Sequence, residues 1–233
     1  MADYDAFAQA YSTANETNLL NAWYERPAML DLAGDVEGLR VLDAGCGSGS
    51  LTAALRDNGA LVSGFDLSPA MVALARARLG TDADVRVADL EDRLPYDDDT
   101  FDVVTCSLAL HYLKEWDATL AEFRRILKPG GRLVISVPHP VVYKINYPDQ
   151  DYFATTQYSE EFEFDGRNAV LTYWHRPLHA MTDAFGNAGY RIATVSEPPW
   201  SPDTPPELLP ANAEGRTAFL CFLFFALEAP ARS

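Results

Sequence analysis

The sequence has little cysteine: Cys46, Cys106 and Cys221 are its three, far apart and with no C-x-x-C pair. That spacing argues against a disulfide framework and against a cysteine zinc site. Cys106 and Cys221 fall in strand-like runs, where a thiol behaves as a small hydrophobe. Basic residues are also scarce, 18 Lys and Arg against 34 Asp and Glu, for a formal charge of −16. A surface this acidic repels phosphate backbones and anionic lipid heads. The densest basic group, Arg124, Arg125, Lys128 and Arg132, reads as a helix end and its turn. Neither a nucleic-acid partner nor a membrane surface is therefore expected. No apolar run approaches the ~20 residues that span a bilayer, and the most apolar stretch, Ala218–Leu227, reads as a buried strand. The first residues, MADYDAFAQAY, lack the basic flank and apolar run of a signal peptide, so a cytoplasmic location is expected.

What is present suits one α/β domain: 233 residues, 48% of them hydrophobic, enough for a sizeable core. Residues 4–32 repeat apolar positions at helical spacing and are too few for a core of their own; 1–34 is expected to form a helical lid. From 35 to 138, short apolar runs alternate with amphipathic segments. Strands are expected at Leu39–Ala44, Ala60–Asp66, Asp84–Ala88, Phe101–Ser107 and Arg132–Val137. Helices are expected at Ser50–Asn58, Pro69–Leu79 and Trp116–Leu127. Ser68 is a fitting N-cap, with Pro69 at the first helical position. This alternation implies parallel strands with helices on both faces, and ligands at the carboxyl ends of the strands. After Val137 the rhythm breaks. Residues 139–176, rich in Tyr, Phe, Pro and acid, form an expected cap over the substrate, without a long periodic stretch. A helix at Pro177–Ala188 and strands at Tyr190–Ser196 and Arg216–Leu227 close the chain.

The strongest local signal is Val41-Leu42-Asp43-Ala44-Gly45-Cys46-Gly47-Ser48-Gly49. A strand runs into three alternating glycines and then a helix, so backbone and helix N-terminus can approach a ligand closely. Asp66 ends the next strand about 20 positions later, where a carboxylate can accept both hydroxyls of a ribose. As a set these segments, with Ala88-Asp89-Leu90, Leu94-Pro95-Tyr96-Asp97 and Lys128-Pro129-Gly130-Gly131, resemble the class I S-adenosylmethionine-dependent methyltransferases, in particular those of ubiquinone and menaquinone biosynthesis. The resemblance covers about residues 35–138.

The resemblance implies a Rossmann-like, seven-stranded, mostly parallel sheet whose last strand runs antiparallel, with S-adenosylmethionine as cofactor and S-adenosylhomocysteine as product. Position by position it implies that Asp43, Ala44, Gly45, Cys46, Gly47 and Gly49 hold the methionine portion. Asp66 would bind the ribose, with Leu67 and Met71 packing near the adenine. Ala88, Asp89 and Leu90 would meet the adenine. Ser107 would supply contacts near the sulfonium, and Tyr11 would close an N-terminal helix over the site. A nicotinamide-dependent oxidoreductase fits less well, since its fingerprint wants a small residue at the position of Ser50 rather than Gly49.

Methyl transfer requires alignment and exclusion of water, and for some acceptors a base. His111, just past the fourth strand, is the first candidate for acid/base or positioning duty, with His139 and His175 behind it. Tyr112, Tyr143, Tyr152 and Arg176 are candidates to touch the acceptor, and the aromatic cap suggests a small apolar or aromatic molecule. A protein that keeps the cofactor pocket for a non-methylating role, and methylation of a protein side chain, are the other readings. Asp97-Asp98-Asp99 reads as a solvated turn, so no metal is expected. The oligomeric state is left as monomer or homodimer.

Overall fold

Val41, Leu42 and Ala44 are all fully buried in β1 (Arg40–Ala44), the pattern of a strand covered on both faces rather than one. The same holds for Val103, Val104 and Cys106 in β4 (Phe101–Ser107). In the computed structural model, which describes residues 4–231 apart from 212 and 214, these two strands form the centre of a seven-stranded sheet. Around them lie β2 (Leu61–Asp66), β3 (Asp84–Val87), β5 (Leu127–Pro138), β8 (Arg191–Ser196) and β9 (Phe222–Glu228), in the order β3-β2-β1-β4-β5-β9-β8. β1 pairs parallel to β2 and β4, while β9 runs antiparallel to both β5 and β8. The expected class, a mostly parallel sheet with an antiparallel last strand, is what the structure shows.

Successive residues of each strand feed opposite layers. Val104 and Phe225 join the core with Phe101, Phe123 and Phe185. Val103 and Phe224 join the one with Tyr24, Met29 and Leu55. The helices α3 (Ser50–Asp57), α4 (Pro69–Leu79), α5 (Asp117–Ile126) and α7 (Leu178–Asn187) flank the sheet. α4 starts as expected: the Ser68 hydroxyl accepts a bond from Met71 N at 3.1 Å, with Pro69 in the first turn.

Two expectations are corrected and one is refined. The N-terminal segment is helical, in several pieces. α1 (Ala8–Thr17) stops at Asn18, whose extended backbone (ψ 154°) lets its side chain accept from Asn21 N. A π-helical stretch, Leu19–Glu25, then runs into α2 (Arg26–Ala33). The last strand begins at Phe222, not Arg216, because Thr217 instead accepts from Trp200 N and Phe219 packs on the Trp200 ring. The cap is also more regular than expected. It contains α6 (Pro140–Asn146) and a hairpin of β6 (Thr156–Phe164) with β7 (Arg167–His175). The turn is Asp165-Gly166, both at positive φ (50° and 73°), as a two-residue hairpin turn requires. Residues 1–3, 212, 214, 232 and 233 of the expected lid and closing segment lie outside the described residues. Among the described residues, no helix is long and apolar enough to cross a membrane.

Candidate active site

At the carboxyl ends of β1, β2 and β4 lies a cavity of about 340 Å³, within the range of small-molecule sites, roughly 300–1,000 Å³. The glycine turn forms its floor. Gly45 N and Cys46 N both donate to Phe65 O, at 2.9 and 2.8 Å, tying the turn to β2. Gly45 sits at φ 73°, and a Cβ there would stand 2.7 Å from Ala109 Cβ. Only glycine therefore lets the turns after β1 and β4 come together. Gly47 N donates to Asp66 Oδ2 at 2.9 Å, and Ser68 N to Asp66 Oδ1 at 2.9 Å. Each Asp66 oxygen keeps a lone pair for the cavity it lines. Burial raises its carboxyl above the usual range, and backbone bonds from Ser68, Gly47 and Leu67 oppose that.

Tyr11, Asp43, Gly45, Cys46, Gly47, Asp66, Leu67, Met71, Ala88, Asp89, Leu90, Ser107 and Tyr112 all line this cavity. Two other expected cofactor residues lie behind its wall: Ala44 is fully buried in β1, and Gly49 backs onto Ala75 of α4. Asp43 is anchored inward. Thr52 Oγ1 donates to its Oδ2 at 2.6 Å and Thr105 Oγ1 to its Oδ1 at 2.9 Å. Burial nonetheless pushes the Asp43 carboxyl up to about 6. Asp5, Asn15, Asn21, Glu25, Arg26 and Leu108 line the cavity as well, and none had been expected from the sequence. A Glu-Arg pair interrupting an apolar helical segment was the available signal for two of them.

The N-terminal segment roofs the site. Asp5 accepts from Ala70 N at the start of α4, while Glu16 accepts from Ser50 and from Arg78 at 2.6 Å, binding α1 to α3 and α4. Phe164, at the hairpin tip, packs on Tyr11 and Phe7 with ring centroids 5.4 and 5.5 Å away. Lid and cap thus meet above the cavity.

The three candidate histidines lie together but outside that cavity. His111, His139, Tyr143, His175 and Arg176 line a much smaller neighbouring space. His111 packs between Tyr112 and Tyr173, tilted against both rings, with centroids 4.6 and 5.0 Å away. Its Nδ1 has no hydrogen-bond partner among the described residues, and burial depresses the ring to about 3. His139 uses both nitrogens: Nδ1 accepts from Val141 N at 3.1 Å and Nε2 faces Glu197 Oε1 at 2.8 Å. That pattern assigns the proton to Nε2. His175 Nε2 meets the Tyr152 carbonyl at 2.8 Å, and its ring stacks 3.9 Å over Tyr143. The Tyr152 hydroxyl accepts from Leu178 N at 3.3 Å, and the Arg176 guanidinium lies 4.5 Å over Trp116. Tyr112, Tyr173, Tyr158 and Tyr143 form an unbroken aromatic run between the two spaces, with centroid steps of 5.3, 5.5 and 5.1 Å.

A family model described as a methyltransferase domain matches residues 42–135. The chain is 40% identical over 135 residues to a demethylmenaquinone methyltransferase from Clavibacter sepedonicus, covering 57% of this chain and 55% of that protein. It is 32% identical over 155 residues to a ubiquinone biosynthesis O-methyltransferase from Xanthomonas oryzae, covering 58% and 65%. This chain thus spans between about half and two thirds of the length of those relatives. A crystal structure of an S-adenosylmethionine-dependent methyltransferase from Mesorhizobium loti superposes with a TM-score of 0.64 at 28% identity, covering 87% of this chain and 96% of that one.

Proposed function

The chain belongs to the class I S-adenosylmethionine-dependent methyltransferases, and on that premise we propose that it methylates a small aromatic or apolar acceptor entering beneath the cap. The residues of the cavity suit that cofactor. Asp66 and Asp89 stand at the ends of β2 and β3 with Leu67, Met71, Ala88 and Leu90 around them, carboxylates for hydroxyl and amino groups about an apolar slot for a flat ring. Five acids, Asp5, Glu25, Asp43, Asp66 and Asp89, face one base, Arg26, a balance that favours a cation.

When bound, S-adenosylmethionine supplies an electrophilic methyl group on a positively charged sulfur. The protein then has to fix geometry and shed water. Phe7, Tyr11 and Phe164 close the roof, and Tyr112 and Tyr173 wall the side toward the cap. The observation that carries the acceptor reading is the continuous run Tyr112–Tyr173–Tyr158–Tyr143, which offers ring faces to an aromatic guest. The quinone names carried by two curated relatives agree with a guest of that class.

Of the histidines, His111 keeps a ring nitrogen without a partner among the described residues. His139 spends both of its nitrogens on Glu197 and Val141, and His175 spends Nε2 on the Tyr152 carbonyl. We assign His111 to orienting the acceptor. A ring depressed to about 3 stays neutral and accepts a hydrogen bond from a hydroxyl.

Calorimetric titration with S-adenosylmethionine and, separately, NAD tests the cofactor, and transfer of labelled methyl to a panel of hydroxylated aromatic rings tests the acceptor. Micromolar binding of S-adenosylmethionine alone, with label entering an aromatic acceptor, is expected. Binding of NAD alone, or label entering only proteins, would overturn the reading.

A further inference from the structure

Glu25 is 4% exposed and stands at the end of the π-helical stretch, where its carboxyl enters the wall of the large cavity. One oxygen is fully used. Oε1 accepts from Ser107 Oγ at 2.7 Å and from Ser136 Oγ at 2.6 Å. These serines are register partners on β4 and β5. Ser136 Oγ in turn accepts from Leu108 N at 2.9 Å, steadying a turn in which Leu108 takes φ 45°. No hydrogen bond among the described residues uses Oε2. A buried carboxyl that presents one unsatisfied oxygen to a cavity is costly without a ligand.

A ligand that donates hydrogen bonds relieves this cost, and one that also carries positive charge relieves it most, since burial otherwise holds the carboxyl above the usual range. Asp43 and Asp66 present no wholly unpartnered oxygen, because Thr52 and Thr105 hold one each of the first and Gly47 N and Ser68 N one each of the second. Arg26, the next residue, lines the same cavity with opposite charge, so the pair matches the two ends of an α-amino acid. A sulfonium has no N–H to donate, whereas an α-ammonium has three.

We propose that Glu25 binds the α-ammonium group of the cofactor's methionine portion through Oε2, resting on the cofactor reading given above. Its bonds to Ser107 and Ser136 aim the free oxygen, and the same bonds tie ammonium recognition to the backbone turn after β4.

The test is a binding cycle on the full chain, measured by calorimetry with four ligands: S-adenosylmethionine, S-adenosylhomocysteine, the deaminated analogue of S-adenosylhomocysteine, and 5′-methylthioadenosine, which lacks the whole amino-acid portion. Glu25→Gln keeps an acceptor for both serines and loses the charge. It is expected to weaken S-adenosylmethionine and S-adenosylhomocysteine by about tenfold or more, leave 5′-methylthioadenosine within about twofold, and close the gap between S-adenosylhomocysteine and its deaminated analogue. Equal losses for all ligands, as a disturbed Leu108 turn would give, or no loss for any, would overturn the assignment. Should the Gln variant not fold, the wild-type chain still decides, since equal affinity for S-adenosylhomocysteine and its deaminated analogue would also overturn it. A wild-type chain that binds 5′-methylthioadenosine and S-adenosylhomocysteine equally refutes Glu25 alone. One that binds none of the four refutes the cofactor reading itself and Glu25 with it.

Discussion

Phe164 at the tip of the β6–β7 hairpin stacks on Phe7 of the N-terminal segment, ring centroids 5.5 Å apart and planes 7° from parallel. Phe164 also meets Tyr11 edge-on, so aromatic contact links lid and cap across the roof. A pair of this kind contributes about 0.5–1.5 kcal/mol beyond the area it buries. Phe164→Ala is therefore expected to leave the global melting temperature close to wild type while accelerating cofactor release several-fold. Stopped-flow displacement reads the release rate, and an unchanged rate would mean that the hairpin does not hold the roof shut.

Asp66 accepts from both Gly47 N and Ser68 N, so its removal loosens two backbone turns as well as the proposed ribose contact. Asp66→Ala should weaken S-adenosylmethionine binding by roughly tenfold to a hundredfold, the scale of one or two hydrogen bonds to a charged group. Adenosine, which keeps the ribose and adenine without the amino-acid portion, should lose a similar factor. If S-adenosylmethionine bound the variant as it binds the wild type, the ribose assignment would be wrong.

Asp43 gives a signature in alkaline direction. Its folded value of about 6 lies above the 3.8 of an unperturbed aspartate, so the folded state holds the proton more tightly. Its contribution to stability is complete below about pH 4 and is lost as pH rises through 6, by about 3 kcal/mol in all. The stability of wild type relative to Asp43→Asn, from urea unfolding at steps between pH 4 and 7, should fall across that window. Parallel curves would show that Thr52 and Thr105 already carry the ionised carboxylate without penalty.

His111 runs the other way. A histidine depressed from 6.5 to about 3 contributes stability that is present above pH 6.5 and erodes as the solution is acidified toward 3. Between pH 7 and 4.5 the loss amounts to about 2–3 kcal/mol. His111→Phe, which keeps the aromatic stack, should unfold less readily in acid than the wild type does. The same variant separates the ring's proposed orienting duty from its packing: turnover should drop with cofactor affinity intact. Normal turnover would remove His111 from the site.

The sheet was readable because its central strands are buried on both faces, so that Val41–Ala44 and Val103–Cys106 are apolar but for Asp43 and Thr105, and because glycine and Ser-Pro punctuate the turns that follow. The cofactor side of the cavity was readable for the same reason, as it is built from strand ends. The cap hairpin was missed although Asp165-Gly166 is a turn signal, since Glu160, Glu161 and Glu163 disguise the alternation in β6. Glu25 was readable only as a charged interruption of an apolar helical segment, not as part of the site. Its partners Ser107 and Ser136 are far away in sequence, and they meet it only because β4 and β5 pair in that register and a π-helical stretch turns the side chain inward.

The five carboxyls that line the cavity also bear on how a catalytic cycle ends. Methyl donation removes one positive charge from the bound nucleoside, and no residue of the protein has to move for the surrounding acids to feel the difference. A pocket tuned to a cation becomes, at the instant of transfer, a poorer host for what it holds. On the proposed reaction, discrimination between fresh and spent cofactor follows from the charge of that lining.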